Sequence, residues 1–94
     1  MFSAKDPDEI ITLTFDFTNI TSAVSNPVLS ITVVEGTDPT PAAMLSGAAQ
    51  IVGAKVLQKI TGGVSSVRYD IRCQIDSPDG NRYVLADVLP IIRV

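Results

Sequence analysis

The sequence predicts an all-β fold, a small antiparallel β-sandwich. That expectation rests on alternation, punctuation and a missing period. Residues 11–17 and 69–75 alternate apolar and polar side chains, the pattern of strands with one buried and one wet face. Glycine, proline and asparagine clusters interrupt the chain at short intervals, and no segment carries the 3.6-residue apolar period of a long amphipathic helix.

The first strand places Ile11, Leu13, Phe15 and Phe17 on one face and Thr12, Thr14, Asp16 and Thr18 on the other. Asn19 to Pro27 reads as a turn-rich connection. Leu29, Ile31 and Val33 define a second strand, whose outer face is partly apolar through Val28 and Val34. Residues 36–41 break the chain with Gly36, Pro39 and Pro41. The alanine-rich stretch Ala42 to Gly53 has weak periodicity in either sense. It is open between a short helix, an apolar loop and an irregular strand around Ala49 to Val52. Lys55 to Ile60 reads as a strand with Val56 and Ile60 on one face.

After Gly62-Gly63, Tyr69 opens the alternation Tyr69, Ile71, Cys73, Ile75, with Arg68, Asp70, Arg72, Gln74 and Asp76 between them. Ser77-Pro78-Asp79-Gly80-Asn81 then supplies turn chemistry and predicts a hairpin. Residues 82–94 are apolar at both parities, which predicts a bulge or a two-sided environment, and Pro90 demands an edge or a bulge because it has no amide hydrogen. A tyrosine two residues before a buried strand position, after a glycine-bearing corner, is the arrangement of the tyrosine corner. It makes the expected sandwich immunoglobulin-like. Its hydroxyl should bond backbone near Gly62 to Ser66, and the expected core contains Phe15, Phe17, Ile31, Tyr69, Ile71 and Ile75.

Ninety-four residues suit one domain. The expected division is an N-terminal arm over residues 1–9, polar and interrupted by Pro7, followed by a single sandwich over 10–94. A formal charge of −3 offers no basic surface for nucleic acid. The long uncharged run around residues 36–54 is broken by Pro39, Pro41, Gly36, Gly47 and Gly53, so no membrane-spanning helix is expected. Lys5 to Glu9 interrupts any signal layout, and the chain reads as soluble and unprocessed. The single cysteine, Cys73, falls on the buried parity and reads as a small core hydrophobe.

The composition argues against catalysis. There is no histidine, which removes the commonest general base and the commonest transition-metal ligand. No glycine-rich loop has phosphate-binding spacing, and the carboxylates sit in the arm, in turns or on polar strand faces. Asp76, Asp79 and Asn81 around Gly80 offer oxygens, but the spacing and terminal glutamate of a calcium loop are missing and a hairpin turn accounts for them better. No catalytic, cofactor or metal residue is assigned, and no small-molecule substrate is expected. The expected work is docking. Partner contacts are placed on Lys5, Asp6, Pro7, Asp8 and Glu9 of the arm and on Met44 and Leu45 of the apolar segment Pro41 to Val52. The alternative is that Met44, Leu45, Ile51 and Val52 close the sandwich.

The order of several elements resembles a family. Ala4-Lys5-Asp6-Pro7-Asp8-Glu9-Ile10 before an alternating strand ending in Asp16 and an aromatic is similar to the opening of the small fiber-tail adaptor proteins of tailed bacteriophages. Gly62-Gly63, the step to Tyr69, the strand Tyr69-x-Ile71-x-Cys73-x-Ile75, Gly80 and the closing Ile92-Arg93-Val94 resemble that family's second half. The chain departs from the pattern at Phe17, where tryptophan is usual, at Cys73, where asparagine is frequent, and in its alanine-rich middle. The resemblance implies a non-enzymatic virion structural protein, made in the host bacterial cytoplasm and located in the tail. Its partners would be tail and fiber subunits, with self-association in the particle left open. A neck or head-decoration protein and an immunoglobulin-like cell-surface module are the alternatives. The missing signal layout and the lone cysteine count against the last.

Overall fold

The computed structural model describes residues 1–93. Among them the strands run β1 (Ile11–Asp16), β2 (Ser25–Glu35), β3 (Leu45–Val52), β4 (Lys55–Ile60), β5 (Arg68–Asp76) and β6 (Arg82–Pro90). A 3-10 turn, Pro41–Met44, precedes β3. Two antiparallel sheets with strand orders β1-β4-β3 and β2-β5-β6 face each other. These orders are those of strands B-E-D and C-F-G of an immunoglobulin-type sandwich, so the predicted fold class holds at the level of topology.

Alternation places the core. Leu13, Phe15 and Phe17 from the β1 side, Val56 and Ile60 from β4, Ile31 from β2, and Tyr69, Ile71, Cys73 and Ile75 from β5 form one buried cluster, closed by Leu89 and Ile91. All six residues expected in the core are buried in it. Full burial of each aliphatic or aromatic side chain contributes about 1.5–3 kcal/mol. At a corner between the sheets, the Val64 amide donates to the Tyr69 hydroxyl (3.0 Å), the bond expected of a tyrosine corner.

The middle of the chain resolves into the 3-10 turn and then a strand with a bulge. Ser46 pairs with Lys59 but Gln50 pairs with Leu57, so extra residues loop out around Gly47 and Ala48. That extra length hides the alternation of β3. Gly53, at φ +60°, opens the two-residue connection to β4, the conformation a tight hairpin requires. Strand β2 starts earlier than the sequence suggested, at Ser25, with an irregularity before Val28 that takes in Asn26 and Pro27.

The bulge considered for the last strand is absent. Pairing of β5 with β6 runs without a shift from Arg68↔Pro90 to Asp76↔Arg82, and Tyr83, Leu85 and Leu89 face inward while Val84 and Ala86 face out. Pro90 is tolerated because it ends β6 at the sheet edge, where its missing donor is not needed. Of the segment 82–94 that reads as apolar at both parities, β6 takes Arg82–Pro90, and Val94 lies outside the described residues.

The segment expected to stand off as an arm is fastened to the sandwich. The Phe2 amide donates to the Val88 carbonyl (2.9 Å), the Lys5 amide to Pro90 (3.0 Å) and the Ile92 amide to Lys5 (2.9 Å), with a parallel bridge between Lys5 and Ile91. The Phe2 ring meets Phe15 edge-on at 5.7 Å. Backbone pairing along β6 gives the segment a binding partner that its polar composition does not announce.

Candidate functional site

The sandwich has two open sides where strand edges meet, and they are treated differently. On one side, β1 and β6 approach each other and residues 1–5 run across as a strap. Asp87 occupies an inward position of β6, where a carboxylate would ordinarily be excluded, but it lies near the edge and takes the N-terminal ammonium at 2.9 Å. The hydrogen bond to that ammonium, with a second from the Val88 amide, holds the Asp87 carboxyl below the usual aspartate range.

Lys5 locks the strap. Its side chain is buried, and Nζ donates to the Gly62 carbonyl at 2.7 Å and to the Asp6 carbonyl at 2.9 Å. Burial lowers its pKa, with Glu9, Asp6 and Asp8 opposing. Lys5 is therefore not an exposed partner contact, which corrects the sequence expectation: its aliphatic stem packs inward and its head finds backbone acceptors. Met44 is corrected likewise. It is buried against the core, because the 3-10 turn aims it inward. Leu45 is half-buried and packs on the same cluster. The other expected contacts stay accessible. Asp8 and Glu9 are exposed and Asp6 and Pro7 half-buried. They form a closed acidic turn in which the Asp6 amide donates to Glu9 Oε1 (2.7 Å) and the Asp8 amide to Asp6 Oδ1 (2.8 Å).

On the other side, β2 and β3 come together, and among the described residues no strap covers them. Among the described residues strand β3 pairs only with β4; it carries no charged residue from Leu45 to Val52 and exposes Ile51 and Val52. Strand β2 pairs only with β5 and exposes Val28 and Val34. Free, uncharged edges are uncommon in monomers because they template pairing with another chain.

The β3 bulge also shapes the outer face of its sheet. A cleft of about 510 Å³ lies between the bulge residues Ser46, Gly47 and Ala48 on one side and Thr12, Gln50 and Lys59 on the other, with Leu57 its apolar part. Behind it sits Gln58, a buried polar residue on the core face of β4. Its Nε2 donates to the Lys59 carbonyl (2.9 Å) and, over longer distances, to the Gly47 (3.3 Å) and Ser46 (3.4 Å) carbonyls. The signals for this site were present in the sequence, namely a glutamine on a buried parity and a glycine inside an apolar run, but neither identifies the other as its partner.

The residues weighed for metal binding make hydrogen bonds within the β5–β6 hairpin. Asp76 accepts from Arg82 Nε at 2.8 Å and Asp79 from the Asn81 amide at 3.0 Å. Among the described residues no group of three or more His, Cys, Asp or Glu side chains is gathered as a metal site. Cys73 is fully buried, and desolvation pushes its thiol up to about 11. No described helix is long and apolar enough to cross a membrane. No family model, curated protein or solved structure matches the chain.

Proposed function

We propose that the protein is a non-enzymatic docking module, a bacteriophage virion structural protein that joins fibers to the tail. The observation that carries the docking part is the unequal treatment of the two open sides. One is closed by the chain's own strap, and on the other the outer edge of β3 has no strand partner among the described residues, carries no charge and is apolar at Ile51 and Val52. An isolated soluble sandwich gains nothing from such an edge, whereas one that adds a neighbour's strand uses it directly.

The placement in the tail rests on the resemblance of Ala4 to Asp16 and of Gly62 to Gly80 to the fiber-tail adaptors. Lys5, which locks the strap, and the Tyr69 corner with Val64 fall within those two stretches, so residues that carry the resemblance also take part in the framework. The test is particle composition and position. Purified virions would be examined by mass spectrometry and by electron microscopy of particles carrying a tagged copy. Label at the junction of tail and fibers is expected. Absence from particles, or label on the neck or head shell, would overturn the adaptor assignment.

A further inference from the structure

We infer that the cleft over the β3 bulge is a binding site for a carboxylate, carried on an extended peptide segment that pairs with the free edge of β3. The inference rests on the docking reading above, but not on which particle the protein belongs to.

The cleft is lined by donors. Lys59 stands between Thr12 on β1 and Ser46 on β3, neither of them acidic, while the other lysine of this face, Lys55, stands directly beside Asp16. Lys59, Thr12, Ser46 and Gln50 make no side-chain hydrogen bond or ion pair among the described residues. Gln58 completes the site from behind. By drawing the Ser46 and Gly47 carbonyls toward the core, it turns away the oxygens that would repel an anion at the bulge. An ammonium, two hydroxyls and an amide then face one cavity, with no acid among the described residues that line it, the donor set for an acceptor-only group.

The remaining geometry selects the carrier. No aromatic ring lines the cleft, so a sugar has nothing to stack on. A single cation matches a carboxylate better than a doubly charged phosphate. The cleft opens over Gly47 and Ala48, side chains too small to wall it off from the edge. Beyond the bulge, Gln50, Ile51 and Val52 pair regularly with β4 and leave their other edge free. A segment hydrogen-bonded along that run would carry a Glu side chain across the bulge to Lys59, on the outer face shared with Val52, while the β-branched residues on either side of the Glu point to the other face and cover Ile51.

The probe is the capped peptide acetyl-Thr-Val-Glu-Val-Thr-amide, titrated into the 15N-labelled full chain beside its Gln analogue and beside sodium acetate. Amide shifts confined to Ser46–Val52 and a preference for Glu over Gln of about tenfold are expected, as for a charge-assisted contact. Lys59→Gln should abolish the preference, and Lys55→Gln, on the same face outside the cleft, should keep it. Equal binding of the Glu and Gln peptides, or a preference that survives Lys59→Gln, would overturn the inference. So would acetate matching the peptide in affinity, since that removes the role of the edge. Because the assay uses the chain alone, a negative result leaves virion incorporation standing, and failure of incorporation leaves the peptide result standing.

Discussion

Tyr69 and Asp38 are joined by a 2.7 Å hydrogen bond from the phenol to Oδ2, which ties the loop after β2 to the corner before β5. The same hydroxyl accepts from the Val64 amide, so one fully buried ring organises two connections at one end of the sandwich. Tyr69→Phe removes a bond to a charged acceptor and leaves the Val64 amide without its partner. We expect a loss of about 1.5–3 kcal/mol in urea unfolding. In a double-mutant cycle with Asp38→Asn, a coupling near zero would show that the pair is incidental.

The strap should behave as a separable unit locked by Lys5. Lys5→Met keeps the stem but deprives the Gly62 carbonyl of its donor. Hydrogen exchange at the Ile92 amide, which bonds the Lys5 carbonyl, should quicken, while exchange at the centre of β5 stays slow. Equal acceleration at both places would mean that the strap is part of the global unfolding unit.

The two glycines of the corner should differ in tolerance. A Cβ on Gly63, at φ +101°, would lie 2.9 Å from Ile91 Cγ1 and 3.2 Å from Met44 Cε, whereas a Cβ on Gly62, at φ +67°, meets nothing within 4 Å. Gly62→Ala should cost about 1–2 kcal/mol from the left-handed backbone alone. Gly63→Ala adds a clash and should cost more, by roughly another 1–3 kcal/mol of overpacking. Thermal melts of the two variants decide the order.

At the core, Ile71 is fully buried at the middle of β5. Ile71→Ala should cost about 2–5 kcal/mol, measured by chemical unfolding. A loss below 1 kcal/mol would mean that the facing sheet collapses into the space.

Stability should fall in alkali. Burial raises the pKa of the Cys73 thiol from 9.0 to about 11, and burial followed by the Asp38 hydrogen bond raises that of Tyr69. Each folded-state value lies above the unfolded one, so the folded chain holds its proton after the unfolded chain has lost it. The stabilisation is complete below pH 9 and is lost as pH rises toward 11. For Cys73 the loss reaches about 2 kcal/mol at the upper end. Urea midpoints at pH 7, 9 and 10.5 measure this, and Cys73→Ala should flatten the fall.

Strands with strict alternation were legible from the sequence because period two is a local property, as in Phe15 and Phe17 or Tyr69 through Ile75. Tyr69 could be assigned a backbone partner because the glycine corner lies a few residues away. Its bond to Asp38 could not be read, since the two are 31 residues apart and only the fold brings them together. Strand β3 was hidden by its own bulge. The strap was hidden because its attachments are main-chain bonds and a lysine buried along its stem, neither of which composition reports. Of the residues expected to meet a partner, Asp8 and Glu9 are accessible, while Lys5 and Met44 read as surface only because their burial depends on distant segments.

The strap also orders events in time. Its acceptors, the carbonyls of Val88 and Pro90, are displayed only once β6 has paired with β5, so the first residues of this chain can dock only after its last strand is in place. Closing so long a loop adds entropy to the barrier and few contacts to the nucleus, so the strap should form late in refolding and open early in unfolding. Until it closes, the edge of β6 and the rim around Phe15 stay uncovered. Refolding at high concentration should therefore favour association through that side, and the proportion of dimer formed should fall when the chain is refolded dilute.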